Sequence, residues 1–127
     1  MATITIDGKK YDLESLSDAG RAQVSSLQVV EKELNHLNSK IAMTQTARNA
    51  YASSLSGQLP KKAAKNAKHT VTIDKVEYLL SAFSDSAKSL LATLKMTDQK
   101  LEQLQNELAM TQTARNAYAR NLQEELN

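Results

Sequence analysis

The chain has 127 residues, a net charge of +2 and no cysteine. That length is one small domain or two half-sized ones, and a unit of about 60 residues buries only roughly 60% of its unfolded surface, so each half would be marginal alone. The missing cysteines exclude a disulfide framework and a thiolate metal site, and so small a charge argues against a nucleic-acid partner.

The chain opens Met1-Ala2-Thr3-Ile4-Thr5-Ile6-Asp7, without a basic start followed by an apolar stretch. No run approaches the roughly 18 apolar residues of a membrane span, so a soluble intracellular protein is expected. Thr3-Ile4-Thr5-Ile6-Asp7 matches Thr70-Val71-Thr72-Ile73-Asp74, and the eleven residues Ala42 to Ala52 recur letter for letter as Ala109 to Ala119. Both matches have the same offset of 67 residues, and at that offset Tyr11 meets Tyr78, Leu27 meets Leu94 and Leu37 meets Leu104. One offset without insertions is the signature of a tandem repeat. The expected organisation is repeat 1 over 1–59, a basic linker over 60–69 and repeat 2 over 70–127.

Each repeat begins as a β-hairpin. Asp7-Gly8 separates two short alternating runs, and Asp-Gly suits a type I′ turn because both central residues need positive φ. With that turn Ile4 stands opposite Tyr11 and Ile6 opposite Lys9, which puts Ala2, Ile4, Ile6, Tyr11 and Leu13 on one face. Repeat 2 keeps the face as Val71, Ile73, Val76, Tyr78 and Leu80 but has Lys75 in place of Gly8, a residue less suited to the turn. Isolated hairpins are marginal in water, so both faces must rest on something.

A long helix follows in each repeat, from Ser17-Asp18 and from Ser84-Asp85, where the serine suits an N-cap and the aspartate the positive helix end. The apolar residues step alternately by four and three: Leu16, Gly20, Gln23, Leu27, Val30, Leu34, Leu37, Ile41, Thr44, Arg48, Tyr51 and Leu55. Repeat 2 has Phe83, Ala87, Leu90, Leu94, Thr97, Leu101, Leu104, Leu108, Thr111, Arg115, Tyr118 and Leu122. This is a heptad seam, and it calls for a partner helix. About 40 helical residues extend roughly 60 Å, whereas the stretch Gly57 to His69 spans at most about 45 Å, so a parallel pair within one chain is disfavoured. The expected fold is mainly α with small β-hairpins, the helices paired antiparallel as a coiled coil, each hairpin covering Tyr51 and Leu55 or Tyr118 and Leu122 of the other repeat. An extended chain whose helices pair with other molecules is the alternative.

The identical block deserves separate weighing because Thr44, Arg48 and Tyr51, with Thr111, Arg115 and Tyr118, put a polar layer into an apolar seam. A guanidinium there needs carboxylate or carbonyl partners, since an unpaired buried charge is costly. One reading is structural, a layer that fixes register and hairpin docking. The other is that Arg48, Asn49, Arg115 and Asn116 face a partner or an anionic ligand. His36 falls on the outer side of its helix and His69 in the linker, with no second ligand at metal-binding spacing. There is no phosphate loop, no Gly-x-Ser-x-Gly and no His-Glu-x-x-His, and Glu31, Glu33, Glu102 and Glu107 read as solvated carboxylates. Lys61, Lys62, Lys65 and Lys68 lie near Pro60, Ala63, Ala64 and Asn66 without an aromatic residue among them, which reads as a solvated linker rather than a nucleic-acid or membrane surface.

Three segments carry a resemblance: Thr-Ile-Thr-Ile-Asp-Gly-Lys-Lys-Tyr-Asp-Leu at 3–13, Leu-Ser-Asp at 16–18 and Thr-Ala-Arg-Asn-Ala-Tyr-Ala at 46–52. They resemble a family of small, functionally uncharacterised proteins of bacteria and their phages, usually one repeat long. The resemblance implies no activity, and it points to a phage or another assembled particle. The expectation is therefore a non-catalytic structural or assembly protein with no cofactor or metal and no small-molecule substrate. It would work through helix pairing, self-association and strand-edge contacts with other subunits, in the bacterial cytoplasm or a phage particle. A small adaptor or inhibitor that offers a helix face to a host protein is the competing class.

Overall fold

The computed structural model describes residues 3–126, so Ala2, expected on the first hairpin face, lies outside the described residues. Repeat 1 contains β1 (Thr3–Ile6), β2 (Lys9–Asp12) and the helix α1 (Asp18–Ser56); repeat 2 contains β3 (Thr70–Ile73), β4 (Val76–Leu79) and α2 (Asp85–Leu126). A single 3-10 turn, Leu13–Ser15 or Leu80–Ala82, joins each hairpin to its helix. The molecule is thus mainly helical, with two two-stranded antiparallel sheets. Among the described residues no helix is long and apolar enough to cross a membrane.

The chain divides into two compact units, one built from residues up to Ile41 and from Leu104 onwards, the other from Ala42–Gln103. Each unit therefore holds one hairpin, the first stretch of the helix that follows it, and the last stretch of the other repeat's helix.

In the first unit the hairpin register is Ile4 with Tyr11 and Ile6 with Lys9. Asp7 and Gly8 both take positive φ, 51° and 83°, as a turn of this hand requires. Asp12 then accepts the Glu14 N–H at 3.0 Å and stops the strand. The Ser17 hydroxyl accepts the Gly20 N–H at 3.0 Å, so one of the orphan donors of the first helical turn is satisfied. Val24, Leu27 and Val30 of α1 bury with Ile6, Leu16, Ala119 and Leu122, and Ile4, Tyr11 and Tyr118 pack around them. Ser17 bonds Glu125 and Glu31 bonds Arg115, so residue numbers rise along α1 as they fall along the α2 segment beside it.

The second unit repeats the plan. Val71 faces Tyr78 and Ile73 faces Val76. The Ser84 hydroxyl accepts the Ala87 N–H at 3.1 Å, and Leu55, Phe83, Ala87, Leu91 and Leu94 form the core with Tyr51, Val71, Ile73 and Tyr78 around it. Tyr78 meets Phe83 edge to face at a centroid distance of 6.2 Å. The tight turn survives the loss of glycine: Asp74 and Lys75 hold φ of 49° and 67°. A lysine in this region carries a steric cost of about 1 kcal/mol that glycine does not.

Every seam position is buried or half-buried, and Leu37, Leu104 and Leu122 are sealed to 1% exposure. Burying each leucine contributes on the order of 1.5–3 kcal/mol, so the seam outweighs helix propensity in holding these segments. Val24 and Leu91, equivalent residues one step beyond the strict four-three pattern, are buried as well.

Two expectations need correction. The linker is not simply solvated: Lys62 pairs antiparallel with Tyr78, the Ala63 N–H donates to the Glu77 carbonyl at 2.8 Å, and Ala63 is buried, although the lysine side chains stay exposed. Main-chain pairing carries the docking, and it needs no apolar pattern in the sequence. Leu80, expected on the apolar hairpin face, is 42% exposed because β4 ends at Leu79 and the chain turns into its 3-10 segment.

Candidate functional site

The polar layer of the identical block resolves into two arginine centres. In the first unit Arg115 donates through Nε to Glu31 at 2.8 Å and through its two terminal nitrogens to Asp7 at 2.8 and 3.4 Å. One guanidinium thus ties the hairpin turn to both helices, and its five fixed donors suit such a fork better than a lysine ammonium would. The Arg115 hydrogen bond, and then its charge, hold the Asp7 carboxyl below the usual aspartate value. The hydrogen bonds that Arg115 donates to Asp7 and Glu31 raise its pKa above the ordinary arginine value, so the residue is a fixed cation.

In the second unit Arg48 makes a single carboxylate contact, Nε to Asp98 at 3.0 Å. Asp74, the counterpart of Asp7, lines the same groove of about 380 Å³ but forms no ion pair with Arg48. Glu31 and Asp98 are themselves 67 residues apart, so the two pairs are equivalent under the repeat. Glu31 is accordingly an exposed carboxylate that also pairs with Arg115, and Glu107 is half-buried, its carbonyl accepting the Thr111 hydroxyl at 2.7 Å. The signal for the partners was present in the sequence, since acidic residues recur at this one offset.

The remaining candidates separate by face. Thr44 and Thr111 are half-buried, and Tyr51 and Tyr118 pack against the two cores. Asn49 and Asn116 are exposed, each accepting an amide N–H at 3.0 Å from the glutamine four residues earlier, Gln45 or Gln112. The block therefore brings Arg and Tyr inward and leaves Asn outward in both repeats. His36 and His69 are exposed, and among the described residues no cluster of three or more His, Asp or Glu is placed to hold a metal ion.

Four large apolar residues off the seam are exposed. Val29, Met43, Met96 and Met110 are 64–70% exposed. Val29 and Met96 are repeat counterparts, as are Met43 and Met110, and all four hold the same heptad position. In the first unit Val29, Val30, Met110, Ala114 and Tyr118 line an open groove of about 500 Å³. Scattered apolar surface residues are ordinary, but these four recur at the repeat offset, with His36 and Gln103 at the same heptad position between them.

A family model described as a family of unknown function (DUF6447) matches residues 1–64, the whole of repeat 1 and the start of the linker. The chain belongs to that family. Neither the curated proteins nor the solved structures gave a match. Membership brings no activity with it, so function must be argued from the residues themselves.

Proposed function

We propose that this family member is a non-catalytic structural or assembly protein that works through helix pairing and strand-edge contacts, as a component of a phage virion or another particle. In this reading a hairpin-helix ancestor duplicated in tandem, its helices pair as an antiparallel coiled coil, and the chain is soluble in the bacterial cytoplasm until it joins the particle. The observation that carries the proposal is the recurrence of an exposed large apolar residue at one repeated helix position, Val29, Met43, Met96 and Met110. Arg48 and Arg115 bond inward, so what both repeats keep outward is a polar row, Gln45, Thr46 and Asn49 with their counterparts, beside the exposed methionines Met43 and Met110, and such an amphipathic surface suits further protein contact. The groove beside Val29 and Met110 also favours a second reading, an adaptor that docks one host helix there.

Light scattering after size exclusion tests the choice, using the full chain and a variant with Val29→Ser, Met43→Ser, Met96→Ser and Met110→Ser. Assembly predicts a defined oligomer for the former that the latter loses while keeping its helical circular dichroism. A monomer at every concentration, together with stoichiometric capture of one host protein that the serine variant fails to capture, supports the adaptor instead.

A further inference from the structure

In the second unit the outer edge of the second hairpin strand is covered from within the chain: Lys62 pairs with Tyr78 and the Ala63 N–H reaches the Glu77 carbonyl. This edge therefore accepts extended main chain. The equivalent edge in the first unit is β2, where Tyr11 stands for Tyr78 and Lys10 for Glu77. Ile6 and Lys9 flank the turn as the inward-bonding pair, as do Ile4 and Tyr11, so Lys10 and Asp12 turn their main-chain groups outward. Among the described residues no strand other than β1 lies beside β2. The Asp12 side chain and carbonyl are engaged by the Glu14 N–H and the Ser15 hydroxyl, but its N–H still points to the open edge.

The geometry points to a second copy of this chain as the occupant, β2 pairing antiparallel with the partner's β2 about Tyr11. This deepens the assembly reading, on which it rests, by naming one strand edge and its partner. The sequence Lys10-Tyr11-Asp12 is self-complementary in that arrangement. Tyr11 faces Tyr11 of the partner subunit, and each Lys10 stands opposite an aspartate across the join, so opposite charges meet twice. The two outward-facing residues of each strand also meet as hydrogen-bonding pairs, which gives the main chain its full complement of bonds. The lysine-rich linker of another copy is the poorer occupant: in the register it keeps against Tyr78 only Lys61 would meet an opposite charge, Asp12, while Ala63 and Ala64 would stand opposite Lys10 and Lys9, whereas a second β2 matches both Lys10 and Asp12. In repeat 2 the corresponding residues, Glu77, Tyr78 and Leu79, lack the complementarity and are already covered. Pairing through β2 is closed after two copies. It joins two short hairpins into one four-stranded sheet.

A four-residue edge buries far less than the roughly 1,000 Å² of a stable interface, so the dimer is weak and concentration-dependent. Charge exchange tests it on the full chain by sedimentation across a wide concentration range, with amide exchange at Lys10 and Asp12 followed by NMR. Lys10→Asp alone and Asp12→Lys alone should each weaken self-association at least about tenfold, since two opposite-charge pairs become like-charge pairs. Mixing the two variants should restore a heterodimer and the edge protection, and the double variant Lys10→Asp/Asp12→Lys should pair like the original chain. Circular dichroism verifies that each variant stays folded, because Asp12 also caps the 3-10 turn. The proposal is overturned if the single variants associate as the original does, if the mixture stays monomeric, or if the original chain is monomeric throughout. The first of these results, with an oligomer that persists, would leave the assembly reading standing on the exposed Val29, Met43, Met96 and Met110 alone.

Discussion

The two units are built from equivalent residues, yet they hold their hairpins differently. In the first, Arg115 binds the turn residue Asp7 as well as Glu31, Gly8 takes the positive φ without strain, and Arg21 donates to the Leu13 and Glu14 carbonyls. In the second, Arg48 reaches only Asp98, Lys75 occupies the positive-φ position, and Lys88 stands where Arg21 stood. What the second hairpin lacks in side-chain bonds it regains in main-chain pairing with residues 62–63. The same docking problem is solved once by a guanidinium fork and once by a main-chain bridge. Conserving the Arg-Asn-Ala-Tyr block in both copies was not enough to make the two sites alike.

That contrast can be broken in four ways, beginning with the largest effect. Leu122→Ala and Leu55→Ala remove equivalent leucines that are 1% and 2% exposed, and each should cost about 2–4 kcal/mol in urea unfolding. A large inequality between them would mean that the cores are not equivalent. Arg115→Ala should cost roughly 1–2 kcal/mol, through two partly screened pairs and lost packing of the stem, and Arg48→Ala about half as much. Equal costs would remove the distinction between fork and single contact. Lys75→Gly should stabilise the chain by about 0.5–1 kcal/mol, and Gly8→Lys should destabilise it by a similar amount, both visible in thermal melts.

The smallest effect is the dependence on pH. Asp7 has a folded pKa below its unfolded value, so its contribution is fully present above the ordinary aspartate range, about pH 4, and is lost as pH falls through the folded value. Urea midpoints should therefore drop more steeply below about pH 4 in the original chain than in Arg115→Met. Parallel curves would deny the Asp7 contact its role.

Much of this arrangement was legible in the residues. Four-three spacing fixed which side of each helix is buried, the Asp-Gly turn fixed the register of Ile4 against Tyr11, and Ser17 and Ser84 marked the helix starts. Other features were hidden for physical reasons. The bridge at 62–63 pairs through its main chain, and Pro60-Lys61-Lys62-Ala63-Ala64-Lys65 shows no alternation that would betray it. Glu31 and Asp98 sit beside the seam rather than on it, where a carboxylate looks solvated until the facing arginine is placed. The exposed apolar position escaped because four residues, two per helix, are too sparse to register as a periodicity. Comparison at the repeat offset exposes both.

Each unit is assembled from two helix segments of one chain. Since the chain has no cysteine, spin labels can be placed at Asn35→Cys and Gln112→Cys alone, two residues that line one shallow groove in the first unit. Their separation, measured by pulsed dipolar spectroscopy in a tenfold excess of unlabelled chain, should be short, about 10–20 Å for labels on neighbouring helices, and unchanged by the dilution. A short distance that disappears on dilution would place the partner helix in another molecule and contradict the account.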